Sequence, residues 1–474
     1  MAASPNGIAR ELAALVGAEH VLEVPAGSEY NHDLSRRRGV EGRADAVALP
    51  GSAQEVAALV GWCYDHDVPI TPRGGGTGLT GGAVATEGGV VCSLERLRRV
   101  RELEPSLWRM LPEAGVPTRE VQRLAREHGL FFAPDPGAAE QSQIGGNVAT
   151  NAGGPHALKY GVTGAWVAGV EVVLAPGELL EVGGWAAKDV AGYDLRSLLI
   201  GSEGTLGIIT AVRLRLLPAP AAAIALVVFL GSREEGCAAV DELLGSGLRP
   251  SVLDFLDGDA LGPLAGSYPG SAPDGAGFAL IVEVDGSRAE AQAQRAEMLE
   301  ILGGFPMVAD EPADQAALWR WRDGVNGVLT GVRGAKVSED VVFPRERLRE
   351  GLERFEAIAS KHGLRSCSFG HAGDGNVHAT VLVDPAREDE LDAADAVSEE
   401  LFELVVELGG SIAGEHGVGS LKRGRLESQW PRRALELHEQ VKRAFDPKGL
   451  FNPGTKLARY PAARRSYQSR KEAR

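Results

Sequence analysis

The stretch PRGGGTGLTGG, residues 72–82, has six glycines in eleven positions, so its backbone approaches something that side chains would obstruct. Inside it, Gly76-Thr-Gly78-Leu-Thr-Gly81 formally fits the dinucleotide fingerprint G-x-G-x-x-G. That fingerprint requires a helix directly after it, whose N-terminus receives a pyrophosphate. The chain continues instead with GAVATEGGVVCSL (82–94), which has a glycine pair at Gly88-Gly89 and then a β-branched run. That is the pattern of a loop leading into a strand. The Rossmann class fails its own test, and another kind of phosphate cradle is needed.

Two further loops share the character of the first. PDPGAAEQSQIGGNVATNAGGPHALKYG (134–161) interleaves Gly145, Gly146, Gly153 and Gly154 with Asn147 and Asn151, and GYDLRSLLIGSEGTLGIIT (192–210) adds Gly201, Gly204 and Gly207. One glycine loop is no more than a tight turn. Three in one segment, rich in Asn, Ser and Thr, let successive backbone N–H groups converge on a large phosphorylated ligand. No G-x-x-x-x-G-K-[ST] occurs, which excludes a P-loop nucleotide triphosphatase.

The chain of 474 residues is long enough for two or three domains, with 44% hydrophobic and 24% charged residues. A net charge of −16 argues against a nucleic-acid partner. Cys63, Cys92, Cys237 and Cys367 form no C-x-x-C pair, and a reduced, cytoplasmic protein is expected. The N-terminus lacks a basic region followed by an apolar core; Ile8, Leu12 and Leu15 share one face of an amphipathic helix instead. No stretch approaches the roughly 20 apolar residues of a membrane span. The tail ARYPAARRSYQSRKEAR (458–474) is basic and expected to be disordered, with an acidic partner or the inner face of a membrane left open as its contact.

From about residue 43 strands and helices alternate: ADAVALP, VPITP and GIITAVRLRLLP as strands, SAQEVAALVGWCYDHD and TREVQRLAREHG as helices. The compact unit ends near Pro218–Pro220. Beyond it, AIALVVFL, SVLDFLD and FALIVEV are strands among helices at 232–244, 287–302, 345–361 and 387–408. The last helix puts Leu391, Ala394, Val397, Leu401 and Leu408 on one side. This grouping predicts an antiparallel sheet with helices on one face, an α+β domain.

A second constellation lies in FGHAGDGNVHATVLV (369–383), where Asp374-Gly375 is a two-residue hairpin signal. A turn centred there sets His371 directly opposite His378. AGEHGVG (413–419) then adds Glu415 and His416. Two histidines and a carboxylate can hold a divalent metal with positions left open for substrate. The plainer alternative makes the histidines turn residues and Glu415 a cap. LWRWRDGVNGVL (318–329) offers Arg320 and Arg322, and GAKVSED (334–340) offers Lys336, as groups for a substrate carboxylate, while Trp319 and Trp321 suit packing.

TPRGGGTGLTGGAV, IGGNVATNAGG, KDVAGYDLRSLLIGSEGTLGIIT, GHAGDGNVH, GEHGVG and FDPKGLFNPGTK occur in an order that resembles the FAD-linked oxidases of the vanillyl-alcohol oxidase type, over about residues 40–457. Within that family the chain is most similar to the D-lactate, glycolate and D-2-hydroxyglutarate dehydrogenase branch. The short stretch EVGGWAAKDV departs from the longer connection usual there. The resemblance implies a two-subdomain FAD-binding domain over 1–220 and an antiparallel-sheet α+β substrate (cap) domain over 221–420. A C-terminal segment, 421–457, would return to complete the FAD site. It implies that FAD fills the glycine cradle non-covalently, since no His or Cys lies in 72–84. Arg73, Gly74, Gly75, Gly76, Thr77 and Gly78 would wrap the pyrophosphate, with Thr80, Gly81, Pro134 and Asp135 nearby. Ile144, Gly145, Asn147, Thr150 and Asn151 would line the ribityl and flavin region, Glu203, Gly207 and Ile209 the adenine side, and Asn452 would return to the flavin.

The same resemblance implies that His371, His378 and Glu415 bind a divalent metal such as Zn, Mn or Fe, and that His416 is the base. Arg322 and Lys336 would hold the substrate carboxylate and Asn376 would orient the substrate; Asn326 stands where the family often has Thr. The expected activity is oxidation of a small D-2-hydroxy acid, with electrons passing to a quinone, an electron-transfer flavoprotein or a partner subunit. A homodimer and oxidase activity are left open. The alternatives are a non-redox ether-lipid synthase-like transferase and an FAD-holding subunit of a glycolate oxidase complex.

Overall fold

Strand Ile70–Arg73 leads into the glycine loop and strand Val90–Ser93 comes after it, the two pairing in parallel. Residues 74–89 contain no helix, as loop-then-strand predicts. The computed structural model describes residues 5–25, 27–306 and 315–457, and the expected basic tail at 458–474 lies outside them. Two compact units divide the chain. The first comprises Met1–Gly153, Val162–Ala219 and Glu415–Arg474, and the second Gly154–Gly161 and Pro220–Gly414.

The first unit contains a four-stranded sheet in the order Val21–Leu22, Ala46–Ala48, Val90–Ser93, Ile70–Arg73. Its five-stranded antiparallel sheet runs Val100–Glu104, Arg109–Pro112, Ile208–Arg215, Val167–Leu174, Glu178–Gly183. Helix Ala53–Asp65 begins where the Ser52 side chain accepts the Glu55 N–H. It buries Val56, Leu59, Val60 and Cys63 completely, as their spacing requires. Ile8 and Leu12 of helix Pro5–Val16 join the same core, with Leu15 packed against it. All four cysteines are buried thiols.

In the second unit six antiparallel strands run Ala222–Leu230, Phe278–Gly286, Val252–Asp257, Arg365–His371, Asn376–Val383, Ala335–Val342. Leu256, Ile281, Phe369 and Leu382 on one face pack with Leu261, Leu318, Trp321, Val325 and Leu329 of short helices. The opposite face carries long helices. A Cβ on Gly236 of helix Arg233–Gly245 would stand 2.2 Å from the Phe278 ring, and one on Gly351 of helix Leu348–Lys361 2.8 Å from Phe343. Phe278 is paired with Asp257, out of phase with Leu256, so these helices lie across the sheet from the first set. The sequence led to helices on one face; the sheet is covered on both, since consecutive apolar residues such as Val227, Val228, Phe229 and Leu230 point to opposite faces and all are buried.

Helix Glu388–Glu407 buries Ala394, Val397 and Leu401, and Leu408 at its C-cap is buried too, but Leu391 in its first turn is 37% exposed. Its apolar stripe starts one turn later than expected. No described helix is long and apolar enough to cross a membrane.

Candidate functional site

The hairpin in the second unit differs from the expected register. His371 pairs with Asn376 and His378 with Phe369, so the loop is the four residues 372–375. The Asp374 side chain accepts the Asn376 N–H, an Asx turn, and Gly375 takes φ +78 at the loop's exit. Asp-Gly thus closes the loop instead of forming a two-residue turn. The histidines are diagonal neighbours on one face, with ring centroids 5.8 Å apart and planes at 80°. Both are buried, at 4% and 7% exposure.

The polar rows continue across the sheet. Asp254 pairs with His371 on one side, and Asp340 with His378 on the other. Asp254 was not singled out in the sequence: SVLDFLD reads as a buried strand, and its partners come from distant segments. Its Oδ1 accepts from His371 Nδ1 at 2.6 Å and its Oδ2 from Arg322 Nε at 2.7 Å. Burial alone would raise the Asp254 carboxyl, but the charges of His371 and Arg322 outweigh it and bring the group down to about 2. With Nδ1 engaged, Nε2 is the nitrogen of His371 that a metal would use, the carboxylate–histidine pattern typical of metal ligands. Two buried imidazoles, one with its tautomer fixed by a carboxylate, fit a divalent metal.

Of the expected substrate residues, Arg322 is tied to Asp254, and Lys336 donates to Asn326 Oδ1 with its Nζ 5.3 Å from the Phe369 ring centroid. Asn376 donates from Nδ2 to Asp340 Oδ1 at 2.7 Å and to the Val341 carbonyl at 3.0 Å. The Gly414 N–H donates to Asp340 Oδ2 at 2.8 Å. Asn376 and Asp340 together fix the last residue of the second unit, and Glu415 is the next residue of the chain.

In the first unit the glycines line a cradle. A Cβ on Gly74 would lie 3.6 Å from Gln143 Cβ and 3.7 Å from Gly146 Cα, while one on Gly146 would meet nothing within 4 Å. Gly75 is forced: its Cβ would stand 2.0 Å from the Gln141 carbonyl. Asn151, Glu203 and Asn452, each expected at the cofactor, have left-handed backbones with φ of 54, 55 and 43. Such conformations are held by surrounding structure and gather at ligand sites. Gln143 Oε1 and Asn452 Oδ1 are buried with no hydrogen-bond partner among the described residues. Asn452 Nδ2 bridges the loops by donating to the carbonyls of Gly82 and Glu203, both at 2.7 Å. Buried Asp446 fixes this return: it accepts the N–H groups of Leu450 and Phe451 at 3.0 and 2.9 Å, together with Tyr64 Oη and Lys442 Nζ. A cradle of open glycines, orphaned polar atoms and strained backbone fits a dinucleotide-sized flavin.

Most expected cofactor side chains brace the loops. Arg73 donates to the carbonyls of His32 at 2.9 Å and Glu29 at 3.0 Å. Asn147 donates to Thr118 Oγ1, Thr150 to the Gly146 carbonyl at 3.1 Å, and Asn151 Oδ1 accepts the Gly164 N–H at 2.8 Å. The Pro134 carbonyl accepts from Gln122, and Gly207 lies where a Cβ would stand 2.8 Å from the Val173 carbonyl. What the cradle presents is therefore chiefly backbone.

Glu415 and His416 belong to the first unit, His416 Nε2 lying 3.8 Å from Glu415 Oε1. A Cβ on Gly153 would stand 2.7 Å from Glu415 Oε2, so glycine there makes room for the carboxylate. Glu203 anchors the adjoining loop: its Oε1 accepts the Val418 N–H at 3.0 Å and its Oε2 the Gly419 N–H at 2.7 Å. Gly417 and Gly419 have φ of +81 and +56, and a Cβ on Gly419 would overlap the Thr80 carbonyl at 2.0 Å. Thr80 Oγ1 donates to the His416 carbonyl at 3.2 Å. Thr80 and Glu203 thus tie the His416 loop to the glycine cradle.

Residues 44–183 match the family described as FAD binding domain, and residues 219–455 the family FAD linked oxidases, C-terminal domain. The glycolate oxidase subunit GlcD of Bacillus subtilis (strain 168) is 34% identical over 457 residues, covering 95% of this chain and 97% of that protein. The D-2-hydroxyglutarate dehydrogenase of Xanthomonas citri pv. viticola is 35% identical over 449 residues, 91% of this chain and 92% of its own length. The solved structure of p-cresol methylhydroxylase with substrate bound superposes with a TM-score of 0.76 at 18% identity, covering 95% and 96% of the two chains, and shares the fold. The glycine cradle, the six-stranded sheet and these matches make the chain a member of the FAD-linked oxidase family, with the fold of the vanillyl-alcohol oxidase type.

Proposed function

We propose that the protein is an FAD-dependent dehydrogenase of a small D-2-hydroxy acid of the glycolate, D-lactate or D-2-hydroxyglutarate class, yielding the 2-oxo acid. The observation that carries this is the buried His371–His378 pair, with His371 fixed by Asp254, in the unit matched to the oxidases' C-terminal domain. The names of the two relatives share one chemistry: each acid bears a hydroxyl next to a carboxylate. Bound FAD supplies a two-electron acceptor, and a bound divalent cation a Lewis acid.

The chain's own residues do the rest. His371 and His378, with Glu415, would hold the cation; Asp254 fixes the tautomer that would leave Nε2 of His371 for it. His416 takes the hydroxyl proton as a neutral imidazole, at a position the Glu203-anchored loop determines. Arg322 receives the substrate carboxylate, with Lys336 beside it, and Asn376 keeps Asp340 in place. A protein partner is the proposed electron acceptor, in line with the relative named as a subunit.

The test is product detection. Purified FAD-loaded protein, given an artificial electron acceptor and a panel of D- and L-2-hydroxy acids, should form a 2-oxo acid from at least one D-acid. His416→Ala should abolish turnover while keeping FAD. Absence of any 2-oxo acid across the panel would overturn the substrate class.

A further inference from the structure

We propose that Asp254 is a positioning residue that locks the carboxylate-binding arginine and a metal-binding histidine into one rigid unit. The inference rests on the proposed function, which gives Arg322 and His371 those tasks. Asp254 stands in Val252–Asp257, an interior strand paired on both sides, with His371 and Ile281 as its direct neighbours. Its side chain is 1% exposed, so it is oriented by the sheet and not by solvent. Each carboxylate oxygen serves a different partner: Oδ1 accepts from His371 Nδ1 at 2.6 Å, Oδ2 from Arg322 Nε at 2.7 Å. Arg322 arrives from helix Gln315–Asp323, 68 positions away in sequence, and His371 from the end of Arg365–His371, 117 positions away. Asp254 touches both, and so joins two groups that the sequence places far apart.

Asp254 engages Arg322 at Nε and His371 at Nδ1, so neither contact uses the guanidinium's Nη groups or the imidazole's Nε2. An arginine bound through Nε keeps two Nη groups with which to fork onto a carboxylate. A histidine bound through Nδ1 keeps Nε2 for a metal, and a carboxylate on the far nitrogen increases the ligand's basicity. A 2-hydroxy acid needs both contacts at once, its carboxylate on the arginine and its hydroxyl toward the cation. A single anion between them sets the distance that such a substrate has to span. Substrates whose carboxylate lies one carbon further from the hydroxyl would be mismatched.

Variants of the FAD-loaded protein separate the roles. In Asp254→Asn, Oδ1 can still accept from His371, but Nδ2 confronts the Arg322 Nε–H, donor against donor. After metal stripping, Zn²⁺ and Mn²⁺ are titrated in by calorimetry, and KM and kcat are measured for the preferred D-acid. Asp254→Asn should weaken metal binding about 10- to 100-fold, the range for loss of such a partner, and also raise KM. Arg322→Met should raise KM while metal affinity stays within about 2-fold, well inside that range. The double variant Asp254→Asn/Arg322→Met also removes the buried guanidinium that has lost its Asp254 partner and serves if the single variant fails to fold; its metal affinity should stay low.

Wild-type metal affinity in Asp254→Asn with KM unmoved, or in the double variant, would overturn the inference alone. A wild-type protein that oxidises a D-acid yet binds neither metal would overturn the metal-binding part of the proposed function and this inference with it.

Discussion

Glu203 gives the sharpest prediction, because its carboxylate anchors the loop of the proposed base. Its carboxylate, 2% exposed, accepts two buried backbone N–H groups, at 3.0 Å from Val418 and 2.7 Å from Gly419. Hydrogen bonds to a charged group contribute about 1.5–3 kcal/mol each, so Glu203→Ala should lose about 3–6 kcal/mol. Lys456, whose side chain is 33% exposed and 3.2 Å away, adds about 0–1 kcal/mol. Glu203→Gln keeps one acceptor and should cost about 2 kcal/mol. Gly417 and Gly419 are held left-handed by this anchor, and releasing them lets the His416 main chain move. A displacement near 1 Å at a catalytic group costs about 10²-fold in rate. Denaturant unfolding would measure stability, and single-turnover flavin reduction by a D-2-hydroxy acid would measure the rate. Glu203→Gln with stability within about 0.5 kcal/mol of wild type and an unchanged reduction rate would refute the reasoning.

The other predictions concern the scaffold. Gly375→Ala places a Cβ 2.0 Å from the Phe343 carbonyl at φ +78, and denaturation should show a loss of about 3 kcal/mol or more, with weaker metal binding. Asp446→Asn breaks the buried pair with Lys442 and loosens the Asn452 return, so about 3–5 kcal/mol of stability and part of the FAD occupancy should be lost. Burial lifts the Asp257 carboxyl to about 7, against the Ala260 N–H, the charge of Arg233 and the Ser368 N–H. The folded state therefore keeps a proton that the unfolded chain releases near pH 4, and stability falls as pH rises from about 4 to 7, by at most about 4 kcal/mol. Unfolding midpoints measured across that range should flatten in Asp257→Asn.

What was legible in the sequence was local. Glycine spacing in 72–82 marked the cradle, since the need for small residues is written at the positions themselves. Asp374-Gly375 marked a turn, but the Asx bond of Asp374 placed it at the exit of a four-residue loop, which shifted the histidines from opposed to diagonal. Asp254 was invisible because its meaning comes from Arg322 and His371, far off in sequence and joined only by strand pairing. Glu203 and Asn147 were assigned to the cofactor by the family resemblance; the folded chain adds what no motif states, that their side chains are tied to Val418, Gly419 and Thr118. Strand Ala335–Val342 escaped notice since its half-buried end, with Lys336 and Ser338, lacks an apolar run.

The central claim is that histidines on a sheet, with a glutamate, make a flavin oxidase competent for hydroxy acids by holding a divalent cation. Anaerobic mixing of FAD-loaded, metal-stripped protein with glycolate, D-lactate and D-2-hydroxyglutarate, before and after Zn²⁺ or Mn²⁺ is restored, tests it directly. The account predicts that the flavin's visible absorption persists without metal, is lost with at least one acid once metal returns, and persists again in His378→Ala. Reduction at the same rate without metal, or none with any of the three acids, would contradict it.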